Sequence, residues 1–410
     1  MRLALTARPA GLRGLLLRLI SPVAIIAIAQ LFGTSLWFSA NGAADSLMSA
    51  WHASAADIGW LTNAVQLGFI LGTLSLSLSG AADRFRASTL FVYSAIAGGL
   101  FNLGFAWLAD GLLSGAVLRF CVGVTLAGIY PMGMKLIVGW APERTGLALA
   151  QLVAMLTLGT ALPHALRLMG ADLPWQVIIT ASSVLALAGA MLIGILGDGP
   201  HARSGVVGAP TKRAGAILDA FRIHRFRAAA LGYFGHMWEL YAFWTVVPLI
   251  VSRTSLASAY PAAGVAGLSF GVMAVGALGS LLGGLLSQRM GSARVALGSL
   301  GLSGLCGLLF VLVAGALPAW ALLLLLAVWG ASVVADSPQF SALAAKACPR
   351  DAVGSALAIQ NSIGFAITVV SIAGTTWLFE RIGIDALWLL VPGPVLGLAG
   401  YLLSYRSADT

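Results

Sequence analysis

Apolar residues run along this chain in long, nearly continuous blocks, with few positions of regular polar alternation inside them. A block of about 20 such residues crosses a bilayer as a helix, whereas a strand of a membrane barrel alternates apolar and polar positions. Punctuation by Gly, Pro and charge predicts twelve helical spans, near 22–42, 57–79, 89–109, 114–140, 147–168, 175–197, 226–251, 264–287, 295–316, 318–343, 353–379 and 386–405. The division between the ninth and tenth rests on Pro318. Residues 198–225 form the one long polar stretch. The expected fold is an all-α polytopic membrane protein with a tail at 1–21, one six-helix half at 22–197, a central loop at 198–225, a second half at 226–405 and a tail at 406–410.

Composition agrees with the pattern. Of 410 residues, 59% are hydrophobic and 9% charged, against roughly 25% charged in soluble domains. Mean hydropathy is +0.95. The net charge of +9 does not imply nucleic acid, because the basic residues lie between apolar blocks instead of on one soluble face. Three scattered cysteines make neither a disulfide framework nor a zinc site.

Charge also sets orientation. Most of the 23 basic residues fall on the side of the N-terminus, among them Arg13, Arg18, Arg84, Arg86, Arg144, Arg203, Arg222, Arg294 and Lys346. Arg167, Arg253 and Arg381 lie opposite. Lys and Arg mark the cytoplasmic side, so both termini are expected in the cytoplasm and the protein in the cytoplasmic membrane. The Arg-rich start lacks a small-residue cleavage site and reads as a cytoplasmic tail with a short interfacial helix, not a signal peptide. Residues 213–225 read as a second interfacial helix.

Two internal matches show a repeat. Asp83-Arg84 after the second span corresponds to Gln288-Arg289 after the eighth, and Gly146-Leu-Ala-Leu-Ala150 to Gly354-Ser-Ala-Leu-Ala358, each separated by about half the chain. Parallel repeats of this kind place a site between the halves, near the midplane.

Over essentially its whole length the sequence resembles the major facilitator superfamily. The family's loop motif, Gly-x-x-x-Asp-Arg-x-Gly-Arg-Arg, appears as Ser79-Gly-Ala-Ala-Asp83-Arg84-Phe85-Arg86, with Ser79 and Arg86 in place of glycines. The second copy, Gly284-Leu-Leu-Ser-Gln288-Arg289-Met290-Gly291, keeps both glycines and puts Gln288 for Asp. The resemblance implies a conformational latch at Asp83, Arg84, Gln288 and Arg289; an ordinary positive loop is the plainer alternative. Arg119-Phe-Cys-Val-Gly123 fits a second family motif, tied to proton coupling, and a structural arginine fits it equally. Gly159 and Pro163 are separated where drug antiporters have Gly-Pro. Tyr130-Pro131-Met-Gly-Met-Lys135 and His236-Met-Trp-Glu239-Leu-Tyr241 look most like cyanate and nitrate-type anion permeases.

Charges inside a bilayer cost a few kcal/mol each and face a protein interior or an aqueous cavity. Arg119, Lys135, Glu239 and Asp336 lie inside predicted spans four, seven and ten. The resemblance implies that spans one, four, seven and ten line a central cavity. Helical spacing gives a stripe of Gln30, Thr34, Trp37 and Asn41 in span one, of His236, Glu239 and Phe243 in span seven, and of Trp329, Asp336 and Phe340 in span ten. Tyr130 and Tyr241 join the expected lining. Helix–helix packing is the alternative for the aromatic members. Arg119 and Lys135 point about 160° apart on a straight helix, so without a bend at Pro131 only one faces the cavity; Lys135 is then a gate residue or the partner of Asp336.

These features favour a secondary active transporter that moves a small solute, an organic or inorganic anion among the possibilities, by alternating access. Proton coupling falls to Glu239, Asp336 and Arg119. A drug or metabolite efflux antiporter of the same fold is the second reading, and a sensor or intramembrane enzyme a third. No phosphate-binding Gly-x-x-x-x-Gly-Lys-Ser/Thr loop or His-Glu-x-x-His motif occurs, so neither ATP drive nor metalloprotease chemistry is expected. No cofactor or metal is expected. The expected partners are membrane lipid, the solute and protons, with no nucleic acid, and the chain is expected to act as a monomer.

Overall fold

The structure, a computed structural model, describes residues 12–170, 173–202, 219–348 and 353–406. Helix occupies all twelve predicted segments. Span one is Pro22–Thr34 continued by Ser39–Gly42 and Ala44–Trp51. Spans two and three are Ala55–Leu78 and Ala87–Leu108. Span four is Leu112–Leu126 with Tyr130–Trp140, followed by Thr145–Met169 and Trp175–Leu196 as five and six. Spans seven, eight and nine are His224–Arg253, Gly264–Met290 and Ser292–Val313. Span ten is Ala319–Ala335 with Ser337–Ala347; eleven and twelve are Val353–Ile382 and Pro392–Arg406. Among the described residues nine stretches are long and apolar enough to cross a membrane, ten with the bent pair before and after Pro22. The last stretch, Ala356–Tyr405, runs through spans eleven and twelve, and span seven falls outside the count.

A short helix, Leu12–Leu19, meets span one at 98°. Its turn is set by Ser21, whose hydroxyl accepts from the Ala24 N–H at 3.2 Å, and by Pro22, which has no N–H to lose at a helix start. The expected interfacial helix at 213–225 falls outside the described residues as far as 218. Asp219–Arg222 is a 3-10 turn.

Spans four and ten both break near the middle. Each second piece begins with proline in its first turn, Pro131 and Pro338, where the missing N–H is tolerated and continuous helix is not. The repeat seen in sequence therefore recurs as a paired kink.

Within each half, reciprocal glycines bring backbones into contact. A Cβ on Gly68 of span two would lie 2.0 Å from the Phe120 carbonyl, and one on Gly123 of span four 2.1 Å from the Val65 carbonyl. Spans eight and ten repeat this: Gly279 against the Ala331 carbonyl and Gly330 against that of Val272, both at 2.0 Å. Without a hydrophobic drive between helices in lipid, such small residues let dispersion and close approach hold them together.

The halves meet differently. Span two packs on eleven and span five on eight, through side chains. Asn63 Nδ2 donates to the Val369 carbonyl at 3.0 Å, and the Ala56 N–H donates to Glu380 Oε1 at 2.7 Å. An aromatic layer fills the seam. Trp37, in the turn that interrupts span one, stacks on Tyr241 and Phe365, each at 5.7 Å, and donates its indole N–H to Gln66 Oε1 at 3.3 Å. Phe38 meets Trp244 edge-on at 6.1 Å.

On the face where the described chain begins and ends, Asp198 after span six ties down the start of span three. Its Oδ1 accepts from the Ser88 N–H at 2.9 Å and its Oδ2 from Arg86 Nε at 2.8 Å. Burial alone would raise the Asp198 pKa, but the Arg86 and Ser88 contacts outweigh it and hold the carboxyl below its ordinary value. The native-state preference for the ionised form makes this tie fully present above the ordinary carboxylate value, about 3.9, and lost as pH falls through the lowered one. Asp198→Ala should cost about 1 kcal/mol, chiefly as a lost helix cap because Arg86 is solvent-exposed. It should also flatten the acid limb of thermal stability; an unchanged limb would refute the assignment. For the seam, Trp37→Leu removes ring stacking worth about 1 kcal/mol, so alkylation of a cysteine at Thr376, which packs against Gly59 across the halves, should rise about fivefold. Unaltered alkylation would show that the layer does not hold that seam shut.

Candidate functional site

Span seven organises the centre of the molecule. Tyr233, His236, Met237, Leu240, Tyr241 and Trp244 recur at helical spacing and face the first half. With Tyr130 from span four, Thr157 from span five, Ser337 from span ten and Phe365 from span eleven, they line a cavity of about 30 Å³. That leaves room for a water or two. The rings thus hold the two halves closed around a vestigial space.

One wall carries two titratable side chains. His236 Nδ1 lies 2.8 Å from Asp336 Oδ1, and both side chains are fully buried. Nδ1 thus faces the carboxylate, and the other ring nitrogen, Nε2, has no hydrogen-bond partner. Asp336 occupies the junction of the broken tenth span, where it precedes Ser337–Ala347. A helix N-terminus favours a negative charge. The kink at Pro338 thus places an acid where the backbone supports it and where it meets span seven.

Glu239 is behind this wall. Its Oε1 accepts from the Trp329 indole N–H at 2.7 Å and its Oε2 from the Ser303 hydroxyl at 2.8 Å. Phe243 stacks on Trp329 at 4.3 Å. The expectation that His236, Glu239 and Phe243 share a face is therefore corrected: His236 lines the cavity, while Glu239 and Phe243 enter the second half, between spans nine and ten. Three residues turn a helix by 300°, which leaves the two titratable groups about 60° apart. The donors Ser303 and Trp329 decide which way Glu239 goes.

The other predicted residues are dispersed. Arg119 is wholly buried in the first half, where Nη1 donates to the Leu36 carbonyl at 3.0 Å and to Ser39 Oγ and Asn102 Oδ1 at 2.9 Å. Nη2 donates to the Trp37 carbonyl, and the Phe105 ring lies 5.6 Å away. Lys135 donates to the Ala82 carbonyl, beyond the end of span two. The break in span four separates both from a common face, and Asp336 pairs with His236, not Lys135.

Span one is likewise no single stripe, because the turn at 35–38 interrupts it. Gln30 is buried beside Gly133 with both amide atoms unpaired. Thr34 donates to the Gln30 carbonyl at 2.8 Å, Trp37 joins the seam, and Asn41 Nδ2 donates to Thr62 Oγ1 at 2.9 Å. Phe340 packs on Gly232 and lies 6.3 Å from Tyr401, away from the cavity. Of the latch residues, Arg84, Gln288 and Arg289 are exposed, and the Asp83 side chain is outside the described set.

Sequence reasoning missed Tyr233, Trp244 and Phe365 in the lining and Ser303 as a partner of Glu239. The stripe from Tyr233 through His236 and Leu240 to Trp244 was available as a periodicity, since positions three or four apart carry an aromatic, imidazole or large apolar group. Ser303 gave no signal, because a serine in an apolar span more often bonds its own backbone.

The family model for the Major Facilitator Superfamily matches residues 24–371. No curated protein matches the sequence. Among solved structures, a bacterial homologue of the human lysosomal transporter Spinster, inward-facing and unoccupied, is 14% identical with a TM-score of 0.71, over 94% of this chain and 96% of that one. A D-xylose–proton symporter is 15% identical with a TM-score of 0.72, over 94% and 96%. The nucleoside transporter NupG is 13% identical with a TM-score of 0.69, over 94% and 99%. These likenesses show a shared fold, and the family match covers most of the chain. The protein is a multi-pass membrane transporter, not an enzyme, and belongs to the major facilitator superfamily.

Proposed function

We propose that this chain is a proton-coupled secondary transporter of the cytoplasmic membrane, with both termini in the cytoplasm, that moves a small solute by alternating access of its two halves. The observation that carries the reading is the pair of buried acids in the second half, Asp336 at the cavity wall through His236 and Glu239 one helical step behind. Two carboxyls kept from water and unpaired with Lys or Arg in the described contacts are groups that can gain and lose a proton as access alternates.

Ser303 equips Glu239 for both states. Its Oγ is 2.8 Å from Glu239 Oε2 and 3.0 Å from the Leu300 carbonyl. Against the carboxylate, the hydroxyl donates to Glu239. Against the neutral acid, it accepts from Glu239 and turns its own hydrogen to Leu300. Trp329 donates in both cases. No polar atom is orphaned by the change.

Arg119 acts in this reading as a tie within the first half, and an anion as solute has lost the support of Arg119 and Lys135, whose described contacts are with other groups. Counterflow of solute in proteoliposomes tests the transporter reading directly. Glu239→Gln should abolish accumulation driven by a pH gradient while exchange persists, since the amide resembles the protonated acid. Continued pH-driven accumulation would remove Glu239 from the coupling. For orientation, a cysteine at Ala209 should react with impermeant reagent only from the cytoplasm and cysteines at Ala53 and Ser258 only from outside; the reverse pattern would invert the topology.

A further inference from the structure

The cavity between the halves carries enough chemistry to name a class of solute, an inference that rests on the transporter reading above. Its walls contribute the rings of Tyr130, Tyr233, Tyr241, Trp244 and Phe365. Aromatic faces attract a cation within about 6 Å of the ring centre, more strongly once water is excluded. Its polar wall is His236, with Asp336 behind it at 2.8 Å. When this pair holds a single proton on Nδ1, facing the carboxylate, the pair has a net negative charge and His236 Nε2 presents a lone pair. That nitrogen is fully buried and has no partner. A solute that satisfies it must bring an N–H or O–H donor, and one that also balances the charge must be positive.

An anion would face the opposite arrangement. The basic side chains of the spans lie elsewhere: Arg119 donates to Leu36, Ser39, Asn102 and Trp37 inside the first half, and Lys135 donates to Ala82. We infer that the cavity binds a protonated amine borne on an aromatic or apolar body, with its N–H directed at His236 Nε2 and its charge set among the rings. At about 30 Å³ the space is closed to such a molecule here, so Tyr241, Trp244 and Phe365 must part with the seam to admit it.

The groups facing His236 are Asp336 from span ten, Tyr130 from span four and Tyr233 and Tyr241 from its own span, with Glu239 behind. A second proton on the His236–Asp336 pair cancels its charge and turns Nε2 into a donor. Amine and proton then exclude each other at this wall.

Three probes with one aromatic body separate the alternatives: phenethylamine, its N-trimethyl quaternary analogue, and hydrocinnamate. Binding is read by tryptophan fluorescence on the purified full-length protein, and exchange by counterflow in proteoliposomes at neutral pH. Phenethylamine should bind and exchange. The quaternary analogue, which keeps the charge and lacks N–H, should bind roughly tenfold more weakly, the effect of one charge-assisted hydrogen bond. Hydrocinnamate should do neither. His236→Leu should make the two cations equal, and His236→Gln, which retains an acceptor, should restore part of the preference and controls for folding. Tighter binding of hydrocinnamate than of the amine overturns the solute class and leaves transport standing. Binding of the amine without counterflow overturns transport and leaves the class standing. Failure of all three to bind a protein that unfolds cooperatively overturns the class.

Discussion

Hydrocarbon supplies no hydrogen-bond partner, so a polar group in these spans is satisfied only where it finds one inside the protein. That constraint shapes the two halves in opposite ways. In the first half a single guanidinium collects the carbonyls of Leu36 and Trp37 at the turn in span one, and Ser39 and Asn102 beside them. Its five donors suit a backbone that has left the helix and exposed acceptors. Among the described residues, the wholly buried carboxyls, Glu239 and Asp336, are both in the second half. They are met by an imidazole, an indole and a hydroxyl, groups that tolerate a change of protonation state. Arg119 fixes geometry; Asp336 and Glu239 hold something that can be exchanged.

The paired kinks serve the same constraint. A proline in the first turn of a new helix stops the old one and leaves the junction carbonyls and N–H groups to local turns, such as Gly128 N–H to Thr125 and Gln339 N–H to Asp336. In span four the junction carries Gly128 and Ile129, and in span ten it carries Asp336. One architectural device thus frames an inert crossing in one repeat and a charged wall in the other.

Much of the architecture was legible in the sequence because hydrophobic length and loop charge are one-dimensional quantities. The twelve segments, the half-chain repeat and a separate short helix before Pro22 all depend on local runs. The site was legible only in part. His236, Tyr241 and Tyr130 were found at the cavity, while Glu239 and Phe243 were placed on its lining and lie behind it. Adjacent faces of span seven differ by about 60°, and the choice between them rests on Ser303 and Trp329 from two other helices. The stripe assigned to span one failed for a related reason. A turn at 35–38 resets the helical phase, and neither Gly nor Pro marks it in the sequence. The reciprocal glycines were also invisible as pairs, since nothing along the chain says which of 50 glycines face one another.

Those glycine crossings divide the molecule mechanically. At Gly68, Gly123, Gly279 and Gly330 backbone lies against backbone, and a helix cannot slide there without a carbonyl colliding with a Cα. Across the seam the corresponding contacts end on side chains: Gly59 on Thr376 and Gly276 on Thr157. Side chains change rotamer at little cost, and backbones do not. Compliance is therefore concentrated in one plane, with a stiff plate on either side. Random substitution should then act unevenly: changes at the crossings lower yield and folding, while changes along the seam alter turnover in a protein that still assembles. A rate could be retuned in this framework without rebuilding the halves that carry it.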